Sequence, residues 1–92
     1  MEFEWDSAKA VQNLRKHKVT FNEAATVFGD FFSITVSDPD HSVGERRHIT
    51  IGRSSQGRLL MVAHAGRGER VRIISARTLT RRERRTYETA QE

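Results

Sequence analysis

The chain has 92 residues, no cysteine and a formal net charge of +4. That length makes one domain, 1–92, with a small core, and the missing thiols exclude a disulfide framework and thiolate chemistry. No apolar run nears the roughly 20 residues a membrane helix needs, and the opening Met1-Glu-Phe-Glu-Trp-Asp6 is acidic rather than leader-like, so a cytoplasmic protein is expected.

Phe3-Glu-Trp5 alternates and can form a short strand. Asp6 is a good N-cap for a helix from Ser7 to about His17. Val11 and Leu14, with Ala8 above them, are its expected apolar face, and Lys16-His17-Lys18 complements the C-terminal dipole. Thr20-Phe-Asn-Glu23 reads as a capping box opening a second helix through about Phe28, with Phe21, Ala24, Ala25 and Phe28 toward the core and Gly29 as the stop.

Phe32, Ile34 and Val36 alternate with polar residues as in a half-buried strand, and Asp38-Pro-Asp40 marks a turn. Arg47-His-Ile-Thr-Ile51 alternates again and ends at Gly52. Ser54-Ser-Gln-Gly57 is a hairpin turn. Leu59-Leu-Met-Val-Ala63, apolar on both faces, is expected to be a central strand. Arg67-Gly-Glu69 is another turn, and Val71 to Ala76 the last strand. Thr80-Arg-Arg-Glu83 is a second capping box, starting a helix to about Ala90. Strands joined by short turns favour an antiparallel meander. The expected class is α+β: a twisted antiparallel sheet of about four strands, two N-terminal helices and one C-terminal helix, with helices on one face.

Charge is unevenly spread. Residues 1–45 hold four Lys/Arg against eight Asp/Glu, whereas residues 46–92 hold twelve against four. Six of those arginines (Arg72, Arg77, Arg81, Arg82, Arg84 and Arg85) fall between Val71 and Tyr87. A planar, permanently charged fork suits phosphate, and a strand-to-helix junction aims backbone N–H groups at an anion. The pattern points to a nucleic-acid partner, with an acidic protein partner or a merely solvated face as the plain alternatives.

Phe3-Glu-Trp-Asp6, Asn13 with Lys16-His17, Phe21 with Glu23-Ala24, Glu45 with Arg47, Ile51-Gly52, Ile74-Ser-Ala-Arg77 and Glu83 with Tyr87 stand in the order seen in BrnT toxins. Each motif is weak alone; the ordered set is specific, and the resemblance spans nearly the whole chain. It implies a RelE-like fold and the toxin of a type II toxin–antitoxin pair that cleaves RNA and slows growth. It also implies a BrnA-type antitoxin that neutralises the toxin, binds operator DNA on the pair's behalf, and assembles with it as two toxins on an antitoxin dimer. One departure is Lys18, where the family often has Gly, which suits a left-handed helix end.

Metal-free RNA cleavage needs a base for the ribose 2′-OH, cations for the phosphorane-like transition state, an acid for the leaving 5′-oxygen, and in-line positioning. His17 is the first acid–base candidate because imidazole titrates near neutrality; the plain alternative is a helix-capping surface His. His48 and His64 are alternatives on strands, and His41 in a turn is the least suited. Arg77, at the end of the last strand, is the leading transition-state cation, unless it simply pairs with Glu83 or another acid. Arg47 shares strand parity with Ile49 and Ile51, unusual for Arg unless paired or functional, and Glu45 is its partner or a general base. Glu83 is explained best by its cap. Tyr87, one turn on, can stack on a base or orient a phosphate, or pack on the sheet. Trp5 fits a core role better than base stacking. Lys16, Arg72 and Arg81 are expected RNA contacts, while the arginines of the last helix add long-range attraction and antitoxin contact. No His-x-x-x-His or Cys pair points to zinc, and no metal or cofactor is expected. A noncatalytic nucleic-acid-binding module and a protein-interaction domain are the competing functions.

Overall fold

The computed structural model describes residues 1–38, 40 and 44–91; Pro39 of the expected turn and His41 lie outside them. The elements in chain order are β1 (Glu2–Glu4), α1 (Ser7–His17), α2 (Phe21–Thr26) with a 3-10 turn at Val27–Gly29, β2 (Ile34–Ser37), β3 (Arg47–Arg53), β4 (Leu59–Arg67), β5 (Arg70–Thr78) and α3 (Arg81–Ala90). The class is α+β, as the sequence predicts. Among the described residues the sheet has five strands rather than four and is mixed rather than purely antiparallel: its order is β1-β5-β4-β3-β2, with β1 parallel to β5. The correction is β1, where Phe3 pairs with Val71. A three-residue strand is too short to declare its partner, because its pairing is wholly non-local.

β2 to β5 form the expected meander. Ile34 pairs with Ile51, Thr50 with Val62, and Val62 with Ala76. Register slips between Ala63 and His64, which pair with Ser75 and Ile73 and leave Ile74 as the extra residue of a bulge.

One sheet face carries the core. Leu60, Val62, Ile73 and Ala76 are buried against Val19, Phe21, Ala24 and Val27, with Phe3, Trp5, Ala10, Ala25 and Phe28 packed around them. Burying each large apolar side chain stabilises the fold by about 1.5–3 kcal/mol. Trp5 meets the edge of Phe21 at 5.9 Å and Phe3 tilts onto Phe28 at 5.1 Å, so Trp5 takes its core role. Gly52 lets the chain close over β3: a Cβ there would lie 2.9 Å from the Cβ of Ser33 and 3.1 Å from Val27.

The caps form as the sequence predicts. Asp6 accepts from the N–H groups of Ala8 and Lys9, and Thr80 and Glu83 make the full reciprocal box. The Thr20 box is only half made. Thr20 accepts from the Glu23 N–H, but the Glu23 side chain turns inward to bind Arg58 and the Ser54 hydroxyl, tying the β3–β4 turn to α2. The second helix also tightens after Thr26 instead of running on to Phe28.

The apolar face assigned to α1 is overturned. Val11 and Leu14 are 56% and 46% exposed, and the buried residue of that helix is Asn13. The reason lies in β5. Past Arg72, no described strand runs along its β1 edge, and Asn13 fills that place. Its amide donates to the Ala76 carbonyl at 2.8 Å and accepts the Ala76 N–H at 3.0 Å, while a further donation reaches Val19 at 2.9 Å. A side-chain amide thus mimics a strand partner, and α1 turns its Ala10–Asn13–His17 side to the protein.

Candidate active site

With the helices α1 and α2 on one side, the odd-numbered residues of β3 look out from the other. Arg47, Ile49 and Asp38 at one flank, Met61 and Ala63 in the middle, and Ile74, Ser75 and Arg77 on β5 line a cavity of about 220 Å³. The register explains the assembly: Ile49 is opposite Ala63, and Ala63 opposite Ser75; Met61 lies opposite Arg77. Small side chains at Ala63 and Ser75 leave room between two arginines.

A second cavity, of about 240 Å³, adjoins the first. It is lined by Lys9, Gln12, Asn13, Lys16 and His17 of α1 and again by Ile74 and Ser75. The bulge at Ile74 therefore sits where the two cavities meet. His17 lies one helical turn beyond Asn13, so the Asn13 clamp on Ala76 fixes where the imidazole stands. Sequence reasoning gave Asn13 no site role. The available signal was a polar amide at helical spacing from Ala10 and His17, facing the core.

Arg77 is held firmly. Its two terminal nitrogens donate to the two carboxylate oxygens of Glu83 at 2.8 and 2.9 Å, and they also reach the Thr78 carbonyl and the Met61 sulfur. Glu83 serves at once as this clamp and as the cap of α3, accepting the Thr80 N–H at 2.9 Å. The Arg77 guanidinium, aided by the Thr80 N–H, lowers the Glu83 carboxyl to about 2. Bidentate pairing raises Arg77 in turn. Both readings of Glu83 in the sequence hold together in the structure.

The remaining candidates divide. Arg47, Arg77, His17 and Lys16 come together around the two cavities. Glu45 lies 3.9 Å from Arg72; the Ala65 position links Arg47 to Arg72 across the strands, which puts this pair at the end of the same face, outside the cavity lining. Tyr87 stands apart. It is 9% exposed, donates its hydroxyl to the Phe32 carbonyl at 3.2 Å, and borders a separate cavity with Asp30 and Arg53. Burial, then the Asp30 charge, raises its phenol. Arg81 is exposed in the first turn of α3. His64 lies on the helix-covered face, bonded to Thr50 at 2.7 Å, against the Phe28 ring and stacked on His48. Burial, then His48, lowers it to about 4.

Two arginines, a lysine and an imidazole, with the Asp38 carboxylate and Ser75 among them, stand around the two adjoining cavities on the open sheet face. The class this defines is a small α+β domain with a cationic open sheet face. A family model described as the ribonuclease toxin, BrnT, of type II toxin–antitoxin systems matches residues 5–83. The chain belongs to that family of ribonuclease toxins, whose type II membership gives it an antitoxin partner. Its fold is similar to the 1.1 Å crystal structure of the Brucella abortus ribonuclease toxin BrnT, at a TM-score of 0.70 and 20% identity over 88% of this chain and 99% of that one. No curated protein sequence matches the chain. Among the described residues, no helix is long and apolar enough to cross a membrane.

Proposed function

We propose that the open sheet face cuts RNA without a metal ion, as a RelE-like endoribonuclease in the cytoplasm that arrests growth and is neutralised by a BrnA-type antitoxin in a 2:2 complex. The observation that supports this reading best is the shared Ile74–Ser75 wall, which sets the Arg47–Arg77 cavity against the Lys16–His17 cavity. A phosphodiester in the first cavity has two guanidiniums beside its non-bridging oxygens, and an imidazole in the next.

Bond making and breaking balance within the RNA. A base removes the 2′-OH proton, the 2′-oxygen attacks phosphorus, and the 5′-oxygen leaves with a proton from an acid. The products are a 2′,3′-cyclic phosphate and a free 5′-OH. His17 fills one proton-transfer role, and Glu45, at the end of the same face beside Arg72, is assigned the second. Arg47 and Arg77 stabilise the charge that builds on the phosphorane. Lys16, Arg72 and Arg81 hold flanking phosphates. Tyr87, bound to Phe32, anchors α3 in place of a catalytic role.

The test is cleavage of an end-labelled RNA by the purified chain in EDTA. Cutting is expected from the wild type, at a rate about 10²–10³-fold lower in Arg77→Ala and in Arg47→Ala, by the usual worth of one transition-state donor. One observation favours a binding-only module: Glu83 already occupies both terminal nitrogens of Arg77. RNA bound but uncut under all conditions, including added divalent metal and translating ribosomes, would support that second reading.

A further inference from the structure

The order of the sheet leaves β2 at its edge. The chain leading into that strand displays Phe31 at 92% exposure and Phe32 at 66%, and the strand itself shows Val36 at 49%. The two phenyl rings meet edge to face at 5.4 Å. Their backbone is fixed: the Phe32 N–H donates to Asp30, and the Phe32 carbonyl accepts from both the Tyr87 hydroxyl and the Gln91 amide. Beside them lies a cavity of about 360 Å³ lined by Asp30, Phe32, Arg53, Tyr87, Glu88 and Gln91.

Exposed apolar side chains along a sheet edge are a hazard that proteins normally blunt. Here they are presented by ordered backbone, which lowers the entropy cost of binding.

We propose that β2 is the docking edge for the protein antitoxin, which adds an extended segment as a sixth strand. Apolar side chains of that segment cover Phe31, Phe32 and Val36, and one enters the cavity at Arg53. Strand addition draws affinity from the main-chain ladder and selectivity from alternate side-chain pockets. The chemistry of the segment is acidic and apolar in alternation. The cavity wall carries Arg53 together with Asp30 and Glu88, so acidity follows from the exposed Arg81, Arg82, Arg84 and Arg85 of the neighbouring α3 and from the twelve cations against four anions in residues 46–92. RNA fits this edge less well: bases can stack on Phe31 and Phe32, but RNA has no use for Val36 or for a backbone ladder. The partner class comes from family membership, so the proposal stands apart from the cutting roles assigned above.

The test uses the protein encoded by the open reading frame adjacent to this one as the antitoxin, titrated against wild type and Phe31→Ser/Phe32→Ser toxin. The double variant should bind at least a hundredfold more weakly while the free toxin still cuts RNA at the wild-type rate. Hydrogen exchange at Ile34–Ser37 in the wild type should slow when the antitoxin is added. Unchanged antitoxin affinity overturns the proposal, as does antitoxin-induced protection that spares β2. Lost RNA cutting with antitoxin affinity intact also overturns it, and makes the patch a base-stacking surface. Phe31→Ser alone, at the most exposed position, replaces the double variant should that one fail to fold, and its affinity loss is then expected to be tenfold or more.

Discussion

Lys18 ends α1 in the left-handed region, at φ 60°, with its N–H closing onto Leu14 and its ammonium on the Arg15 carbonyl. A side chain in that conformation costs about 1 kcal/mol relative to glycine. Lys18→Gly is therefore expected to raise the melting temperature by about 4–8 °C, read by calorimetry; a lower melting temperature would show that the Arg15 contact outweighs the strain. Glu23 is a buried carboxylate satisfied by Arg58 and Ser54. Arg58→Ala strands it, at an expected cost of about 3 kcal/mol in urea unfolding. The titrating groups set an acid limit. Glu83 is held near 2 by Arg77, so the stability it lends is complete above its ordinary value of 4.5 and drains as pH falls toward 2, and Glu23, lowered first by Arg58, loses its share in the same direction below 4.5. His64, lowered from 6.5 to about 4 by burial, adds stability that is full above 6.5 and fades down to about 4. Unfolding free energy should thus decline in two stages below pH 6.5, and His64→Phe should remove the upper one; an unchanged profile in that variant would discount the buried imidazole.

At the scale of elements, the join of α1 to β5 positions the helix that carries His17. Asn13→Ala leaves the Ala76 N–H and two carbonyls without their partner, which costs about 2–3 kcal/mol and frees the helix that carries His17. Asn13→Asp keeps the acceptor but sets a carboxylate oxygen against the Val19 and Ala76 carbonyls in a buried place, so it should destabilise at least as much as Asn13→Ala. RNA cutting that survives the loss of the clamp at full rate would separate His17 from the site. This same join shows what the sequence could and could not convey. Caps at Asp6 and Thr80, the turn at Ser54–Gly57 and the alternation in β3 are local signals, and each stands where its residues put it. The face of α1 departs from its local pattern, in which Val11 and Leu14 are more apolar than Asn13. The unpaired edge of β5, sixty-three residues away, is what turns the amide inward. The mixed sheet is hidden from the sequence for the same reason, since Phe3 finds Val71 only in three dimensions. Arg47 and Arg77 were legible through strand parity and the strand–helix junction. The separation of Tyr87 from them was not, because it depends on where Phe32 places α3.

For the whole molecule, the acidic first half supplies α1 and α2, and the basic second half supplies β3 to β5 and α3, so Arg47, Arg72 and Arg77 lie on the strands of the open face. RNA affinity should follow these cations. With about four phosphates neutralised, binding is expected to weaken about 50-fold between 50 and 200 mM salt; a flat salt response would point to an apolar RNA contact instead. The proposed cutting requires the two cavities joined at Ile74–Ser75 to act as one site. The most direct test is a double-mutant cycle on RNA cleavage in EDTA, with Arg77→Ala, His17→Ala and the pair, each variant checked for native circular dichroism. Groups that act as a unit lose little more together than singly, so the pair should cut about as slowly as the worse single variant. A His17→Ala rate equal to wild type, or losses that simply multiply, would contradict a shared site.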